Sequence, residues 1–326
     1  MNTITTVAVT GATGFVGRYV VRELVAAGYQ VRALVRDRAK ARTLLPSARV
    51  TVIQGDALDR PRVDEMLNAA QACINLLGII REAPNGQTFE RVHTRATRLL
   101  VERCEALSVR RFVQMSALNV RDVASCEYQR TKWEAEKAVR TSSLDWTILR
   151  PSLIHGPEGE FVHLAKRWAG GHHAPWLFIP YFSREVEDKR VPLGAVSFAD
   201  PMVQPIDVRD AAKAFAACLP NETTFGEVYN LVGSEALSFP DMLRHIRDHV
   251  HGANRDLEPH GIPGHAAGLA AKAAGMMGLG SLLPFDEGMA VMGTEDATAN
   301  LEKVKADLGL NPRPFRAAFA EYAASV

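Results

Sequence analysis

Thr10-Gly11-Ala12-Thr13-Gly14-Phe15-Val16-Gly17 is the stretch on which the reading of this chain turns. It follows the apolar run Val7-Ala8-Val9 and leads into residues 18–25, with Val16, Val20, Val21, Leu24 and Val25 at helical spacing. Three glycines at intervals of three therefore stand at a strand-to-helix turn. So tight a turn needs backbone shapes that glycine adopts at least cost. It also leaves bare N–H groups at a helix N-terminus, where an anion is favoured. In that setting the pattern points to a dinucleotide pyrophosphate site, with Gly11, Thr13, Gly14, Phe15, Val16 and Gly17 as cofactor-binding residues. The competing reading is a tight turn without a ligand, and the residues downstream weigh against it.

Composition sets the bounds. The chain has 326 residues, a length that suits about two domains. It is 47% hydrophobic and 23% charged with a formal net charge of +1, so it offers no basic field for nucleic acid and no acidic tail. Cys73, Cys104, Cys126 and Cys218 are widely spaced without a CxxC pair, which suits free thiols in a reducing compartment. The first strand follows closely on Met1, and no uncharged apolar run is long enough for a bilayer. The expectation is a soluble cytoplasmic protein without a signal peptide.

Strands then alternate with helices. Residues 30–35, 50–54, 72–77, 111–115 and 146–149 read as strands. Helices are expected between them: a short basic one to about Leu45, one over 59–70, a long one ending near Leu107, and one over 127–140. This alternation predicts an α/β Rossmann architecture, a doubly wound parallel sheet with helices on both faces. Such a sheet binds ligands beyond the carboxyl ends of its strands, where Gly11, Arg36, Asp56, Leu77, Gly78, Ser116 and Pro151 all fall. Residues 1–155 are assigned to this NAD(P)-binding domain and 156–326 to a smaller mixed C-terminal substrate lobe, with 203–235 packing back on the sheet. Residues 171–202 are proline-rich without periodicity and read as irregular. Residues 260–283 are rich in Gly, Ala and Met and read as a helical pair over the cleft or a surface for a partner.

Tyr128 and Lys132 lie four residues apart on one helix face, about 6 Å apart along its axis. Ser116 closes the preceding strand. An ammonium near a phenol favours the phenolate, so Lys132 is expected to lower the Tyr128 pKa from about 10 and make it a usable acid or base. Ser116 would hold the reacting oxygen, and Lys132 would also bond the nicotinamide ribose. The spacing alone is common on solvated helices. Its place after the fifth strand of a dinucleotide fold is what marks Ser116, Tyr128 and Lys132 as a catalytic set. At the end of the second strand Arg36 stands where an NAD site wants a carboxylate. A guanidinium grips a 2′-phosphate through two parallel bonds, so NADP(H) is favoured over NAD(H), with Asp37 as the counter-argument. His245 and His249 lack a third ligand, so no metal is assigned. Trp168, Trp176, Phe178, Tyr181 and Phe182 line either an apolar substrate pocket or the core of the small lobe.

Residues 10–17, Gly55-Asp56, Ser116-Ala117-Leu118, Tyr128-x-x-x-Lys132, Leu149-Arg150-Pro151-Ser152 and residues 205–210 together resemble an extended or atypical short-chain dehydrogenase/reductase, over residues 5–250. Within that NAD-dependent epimerase/dehydratase-like superfamily, the short interval from Ser116 to Tyr128 is most similar to the NADPH-binding accessory subunit of respiratory complex I and its bacterial relatives. The resemblance implies that Ser116, Tyr128 and Lys132 occupy the catalytic positions. It implies that Asp56, with Ala57, meets the adenine edge, and that Leu77 and Gly78 run beside the adenosine ribose and pyrophosphate. It does not imply turnover, because members of that subgroup can hold the nucleotide as a structural element. Two positions depart from the pattern. His93 stands where many extended members have Asn for a proton-relay water, and Ala117-Leu118 replaces the threonine–acid pair of sugar dehydratases. Three functions stay open. The first is a reductase or dehydrogenase for a small-molecule carbonyl or alcohol. The second is a non-catalytic NADPH-binding, assembly or redox-sensing module that docks a protein partner or peripheral membrane complex. The third is a sugar-nucleotide epimerase or dehydratase.

Overall fold

Short apolar runs and amphipathic helices alternate along the first half of the chain: β1 (Thr6–Thr10), α1 (Phe15–Ala26), β2 (Gln30–Val35), α2 (Arg38–Leu44), β3 (Val50–Gln54), α3 (Arg60–Leu67) and β4 (Ala72–Asn75). A π-helical turn (Glu90–Arg95) leads into α4 (Ala96–Ala106), then β5 (Arg111–Met115), α5 (Glu127–Arg140) and β6 (Asp145–Pro151). The computed structural model describes residues 3–83, 86–188, 195–276 and 285–326. The second half runs through β7 (Ile154–His155), α6 (Glu160–Ala169), β8 (Ile179–Asp188), β9 (Ala195–Ala199), β10 (Met202–Val203), β11 (Ile206–Asp207), α7 (Val208–Cys218), β12 (Glu227–Leu231) and β13 (Leu237–Ser238). It closes with α8 (Phe239–His249), β14 (Pro259–Pro263), α9 (Gly264–Met276), α10 (Glu287–Met292), α11 (Glu302–Leu308) and α12 (Phe315–Ala320).

The seven-stranded sheet has the order β12-β6-β5-β4-β1-β2-β3, and every neighbouring pair is parallel. Chain order reverses between β1 and β4, and a doubly wound sheet opens its ligand crevice at that point. The strands are apolar on both faces because both faces are covered. Val7 and Val9 of β1 join Val20 and Leu24 of α1 and Phe215 of α7 in one buried cluster. Ala8 points the other way, into a cluster with Leu67, Leu100, Phe112 and Ile148. This is the Rossmann architecture expected from the alternation of strands and helices.

The C-terminal half corrects the sequence reading in places. Residues 171–202 are not irregular throughout: β8 and β9 pair antiparallel, and β14 joins β8 in parallel. No polar–apolar alternation announced them because Val186, Val196 and Phe198 face solvent. Residues 260–263, where the expected helical pair would open, belong to β14 and precede α9; residues 277–283 lie outside the described residues. The third helix stops at Leu67, short of Ala70, and Ala69 turns left-handed. Trp168 belongs to the core of the lobe with Val162, Ile179, Leu243 and Phe319, whereas Trp176 is exposed.

Candidate functional site

The glycine turn is shaped by contacts that exclude side chains. Gly11 has φ +71°, a left-handed conformation, and a Cβ there would lie 2.9 Å from the Leu76 carbonyl group. A Cβ on Gly17 would lie 2.0 Å from the Gly11 carbonyl oxygen, so only glycine lets α1 sit this close to the turn. Gly14 stands at the N-cap of α1 without a side-chain cap, and the first turn carries no acidic residue. The helix therefore offers amide donors and a positive dipole end to an anion, and has no carboxylate there to repel one. Thr13 is half-buried in the turn, Val16 is buried, and the Phe15 ring rests on Gly156 and Gly159.

At the ends of β1, β4 and β5 a buried polar network holds the crevice in shape. Asn75 Oδ1 accepts from Thr10 Oγ1 at 2.6 Å and from the Leu77 N–H at 3.3 Å. Its Nδ2 donates to Thr97 Oγ1 at 3.0 Å and to Gln114 Oε1 at 2.9 Å. The side chain is fully satisfied, which makes the network rigid. Sequence reasoning missed Asn75; the signal was a lone Asn at the end of an otherwise apolar strand.

Beside that network, Lys132 is 2% exposed and its Nζ donates to the carbonyls of Leu77 and Met115, each at 3.4 Å. Gly78 lies against it, since a Cβ there would come within 3.1 Å of Nζ. Burial pulls the Lys132 ammonium down to about 8, with Glu136 opposing the shift. Ser116 follows Met115, and its N–H donates to the Leu149 carbonyl at 2.8 Å. The residue is 4% exposed, and among the described residues its buried Oγ has no hydrogen-bond partner. Pro151 is buried at the end of β6 and accepts the Leu118 N–H at 2.9 Å, tying the segment after Ser116 to the sheet.

Tyr128 packs edge-on against Phe89 and His93, with ring centroids 5.7 and 5.3 Å away. The side chain keeps part of its surface, yet burial pushes the phenol up to about 12, with a smaller contribution from Cys126. This corrects the expectation that Lys132 lowers it: in the fold, loss of solvent raises it instead. Loop 77–79, Ser116, Tyr128, Lys132 and His93 thus converge at the crevice, and the glycine turn adjoins them through Leu76.

The remaining cofactor candidates lie toward the ends of β2 and β3. Arg36 is exposed, and among the described residues no carboxylate pairs with it. Asp37 is not free: its Oδ1 accepts the Lys40 N–H at 3.0 Å as the N-cap of α2. Arg38 Nη2 donates to the Val52 carbonyl at 3.2 Å. Asp56 Oδ1 accepts the Leu58 N–H at 2.9 Å and lies 3.7 Å from Arg91 Nη2, so this carboxylate also shapes its turn. Ala57 packs against the second core cluster.

Residues 11–169 match a family described as NAD(P)H-binding. The chain is 29% identical over 260 residues to the rat mitochondrial NADH dehydrogenase [ubiquinone] 1 alpha subcomplex subunit 9, covering 78% of this chain and 62% of the rat protein. It is 36% identical over 152 residues to a ceramide reductase of Caulobacter vibrioides, covering 46% of this chain and 47% of that protein. The chain thus spans about three-fifths or less of these relatives' lengths. A solved UDP-glucuronic acid 4-epimerase from Bacillus cereus with NAD superposes at a TM-score of 0.68 and 16% identity, over 98% of this chain and 97% of that one. At that identity the likeness speaks for the fold alone. No described helix is long and apolar enough to cross a membrane.

Proposed function

We propose that the chain is an atypical short-chain dehydrogenase/reductase of the NAD-dependent epimerase/dehydratase superfamily, which binds NADP(H) and reduces a small-molecule carbonyl, or oxidises the matching secondary alcohol; the NAD(P)H-binding match and the likeness to these relatives support the reading. The observation that carries the reading is Ser116 Oγ, a buried hydroxyl without a partner among the described residues, one residue from the carbonyl that Lys132 contacts. A buried hydroxyl left unpaired costs stability unless a ligand completes it. When bound, the dinucleotide supplies or accepts the hydride. Ser116 donates a hydrogen bond to the reacting oxygen, and Tyr128 gives that oxygen its proton in the reducing direction. A phenol near 12 is protonated at neutral pH, which suits it as the acid. Lys132 stands over loop 77–79, ready to bond the ribose.

Arg36, which no described carboxylate pairs, supports a 2′-phosphate, and the engagement of Asp37 Oδ1 in the α2 cap weighs against its serving an NAD ribose. One observation favours a second reading. The likeness to a respiratory-complex subunit supports a module that holds the nucleotide for a protein partner without turning it over.

Tyr128→Phe separates the two readings. Under the first, the wild type consumes NADPH with at least one member of a panel of aldehydes and ketones. The variant then loses that turnover by about a hundredfold or more while NADPH affinity stays within about twofold. Under the second, NADPH raises the melting temperature but no carbonyl consumes it.

A further inference from the structure

His93 departs from its family's pattern, and its surroundings say what it does here. It sits in the π-helical turn before α4, a local widening that turns its ring toward α5 and the loop after β4. Nε2 accepts the Ile79 N–H at 3.1 Å. An amide N–H can only donate, so Nε2 carries the lone pair and the ring proton is on Nδ1. Nδ1 lies 3.0 Å from Thr131 Oγ1 and donates to it. Thr131 Oγ1 in turn donates to the carbonyl of Glu127 at 3.0 Å or of Tyr128 at 3.1 Å. The chain of donors runs one way, from the Ile79 amide through His93 and Thr131 into the first turn of α5. Both ring nitrogens are used, so a proton cannot cross the ring without breaking one of these bonds.

The ring faces are engaged as well. Phe89 stacks on one at 5.5 Å and Tyr128 meets it edge-on at 5.3 Å. A Cβ on Gly78 would lie 3.9 Å from His93 Nε2 and 3.1 Å from Lys132 Nζ. His93 thus touches Tyr128, and through Thr131 it is bonded to the helix that also carries Lys132. We propose that His93 is a positioning residue, a neutral imidazole that sets the Gly78–Ile79 loop against Lys132 and fixes the Tyr128 ring, and that it carries no proton in the reaction. Its chemistry agrees: the ring is 1% exposed, and burial, aided by the Lys132 charge, holds its pKa far down, at about 2.

This inference rests on the nucleotide-binding reading above, and the test keeps the two apart. Ring-nitrogen NMR of the wild type is expected to show His93 as the Nδ1–H tautomer, unchanged from about pH 8 to about pH 5. An Nε2–H tautomer, or titration in that range, overturns the proposal. His93 bonds the far end of loop 77–79 at Ile79, where Gly78 lies against Lys132, which in the reading above bonds the nicotinamide ribose, so the loss of His93 is read on the nicotinamide half and not on the adenosine ribose beside Leu77. His93→Phe keeps the stacking but removes both hydrogen bonds, so NADPH affinity is expected to fall about tenfold while affinity for 2′,5′-ADP, which lacks the nicotinamide half, stays within about twofold. His93→Gln, whose amide oxygen can accept from Ile79, is expected to recover most of the loss. Equal losses for both ligands, or no loss for either, overturn the positioning role. A wild type that binds neither ligand defeats the nucleotide reading and this inference with it.

Discussion

Arg36 and Asp37 are adjacent in sequence and have different fates in the fold. The carboxylate is spent on the first turn of α2, while the guanidinium stays exposed and unpaired by any described carboxylate. A charge-assisted bond to a 2′-phosphate is worth about 1.5–3 kcal/mol, so Arg36→Ala is expected to weaken NADPH binding by about ten- to a hundredfold and to leave NADH binding nearly unchanged. Titration of both nucleotides measures this, and equal losses would remove the case for NADP. Ser116 makes the complementary point. A serine after a strand is unremarkable as sequence; its burial without a partner is visible only once Leu149, Pro151 and the chain beyond Leu118 are in place.

Arg111, at the start of β5, joins elements rather than ligands. Its Nη1 donates to the Asp145 carbonyl at 2.5 Å. Its Nη2 donates to Thr147 Oγ1 and the Cys218 carbonyl, each at 2.7 Å, and to Thr224 Oγ1 at 3.0 Å. Phe225 lies under the guanidinium at 4.6 Å. Burial lowers the Arg111 pKa to about 10, which still leaves it charged at neutral pH. One side chain thus fastens β5, β6, the end of α7 and the turn that leads into β12. Arg111→Met strips these donors from oxygens that stay buried with only their remaining partners, at an expected cost of about 3–5 kcal/mol in chemical denaturation. A cost below about 1 kcal/mol would mean that water replaces the guanidinium. On α5, the fully buried Glu136 receives two bonds of 2.7 Å from Arg150, anchoring the helix that carries Tyr128 and Lys132 to β6.

Across the whole molecule, two buried imidazoles couple the fold to pH. His93 holds the crevice, and His155 of β7 bonds Tyr322 at 2.9 Å and packs on Phe315, pinning the C-terminal segment. Burial lowers both, to about 2 and about 4. The unfolded chain takes up these protons near pH 6.5 while the folded chain refuses them. Stability is therefore full above about 6.5 and lost as pH falls toward 4, by about 1.4 kcal/mol per pH unit for each ring. Denaturant unfolding at about pH 7 and about pH 5 is expected to differ by about 4 kcal/mol from these two rings, to which the half-buried His245, also lowered to about 4, adds less, and His155→Gln is expected to remove about 2 kcal/mol of the difference. Equal stability at the two values would mean that both rings ionise within the folded state.

At this same scale, the sequence by itself determined the parallel sheet, the strand-to-helix glycine turn and the helix bearing Tyr128 and Lys132. These depend on short-range periodicity and on glycine's backbone freedom, which adjacent residues express. Arg36 was legible for the same reason, since its place at a strand end needs no partner to be read. The short strands of the lobe were not legible, because their exposed faces leave no alternation to detect. Only the tertiary structure decided the tautomer of His93, the network at Asn75, the unpaired hydroxyl of Ser116 and the rise rather than fall of the Tyr128 pKa. Each depends on which groups from distant parts of the chain exclude water at one point. Burial and hydrogen-bond pairing are properties of that meeting place, whereas helix and strand periods belong to the local chain.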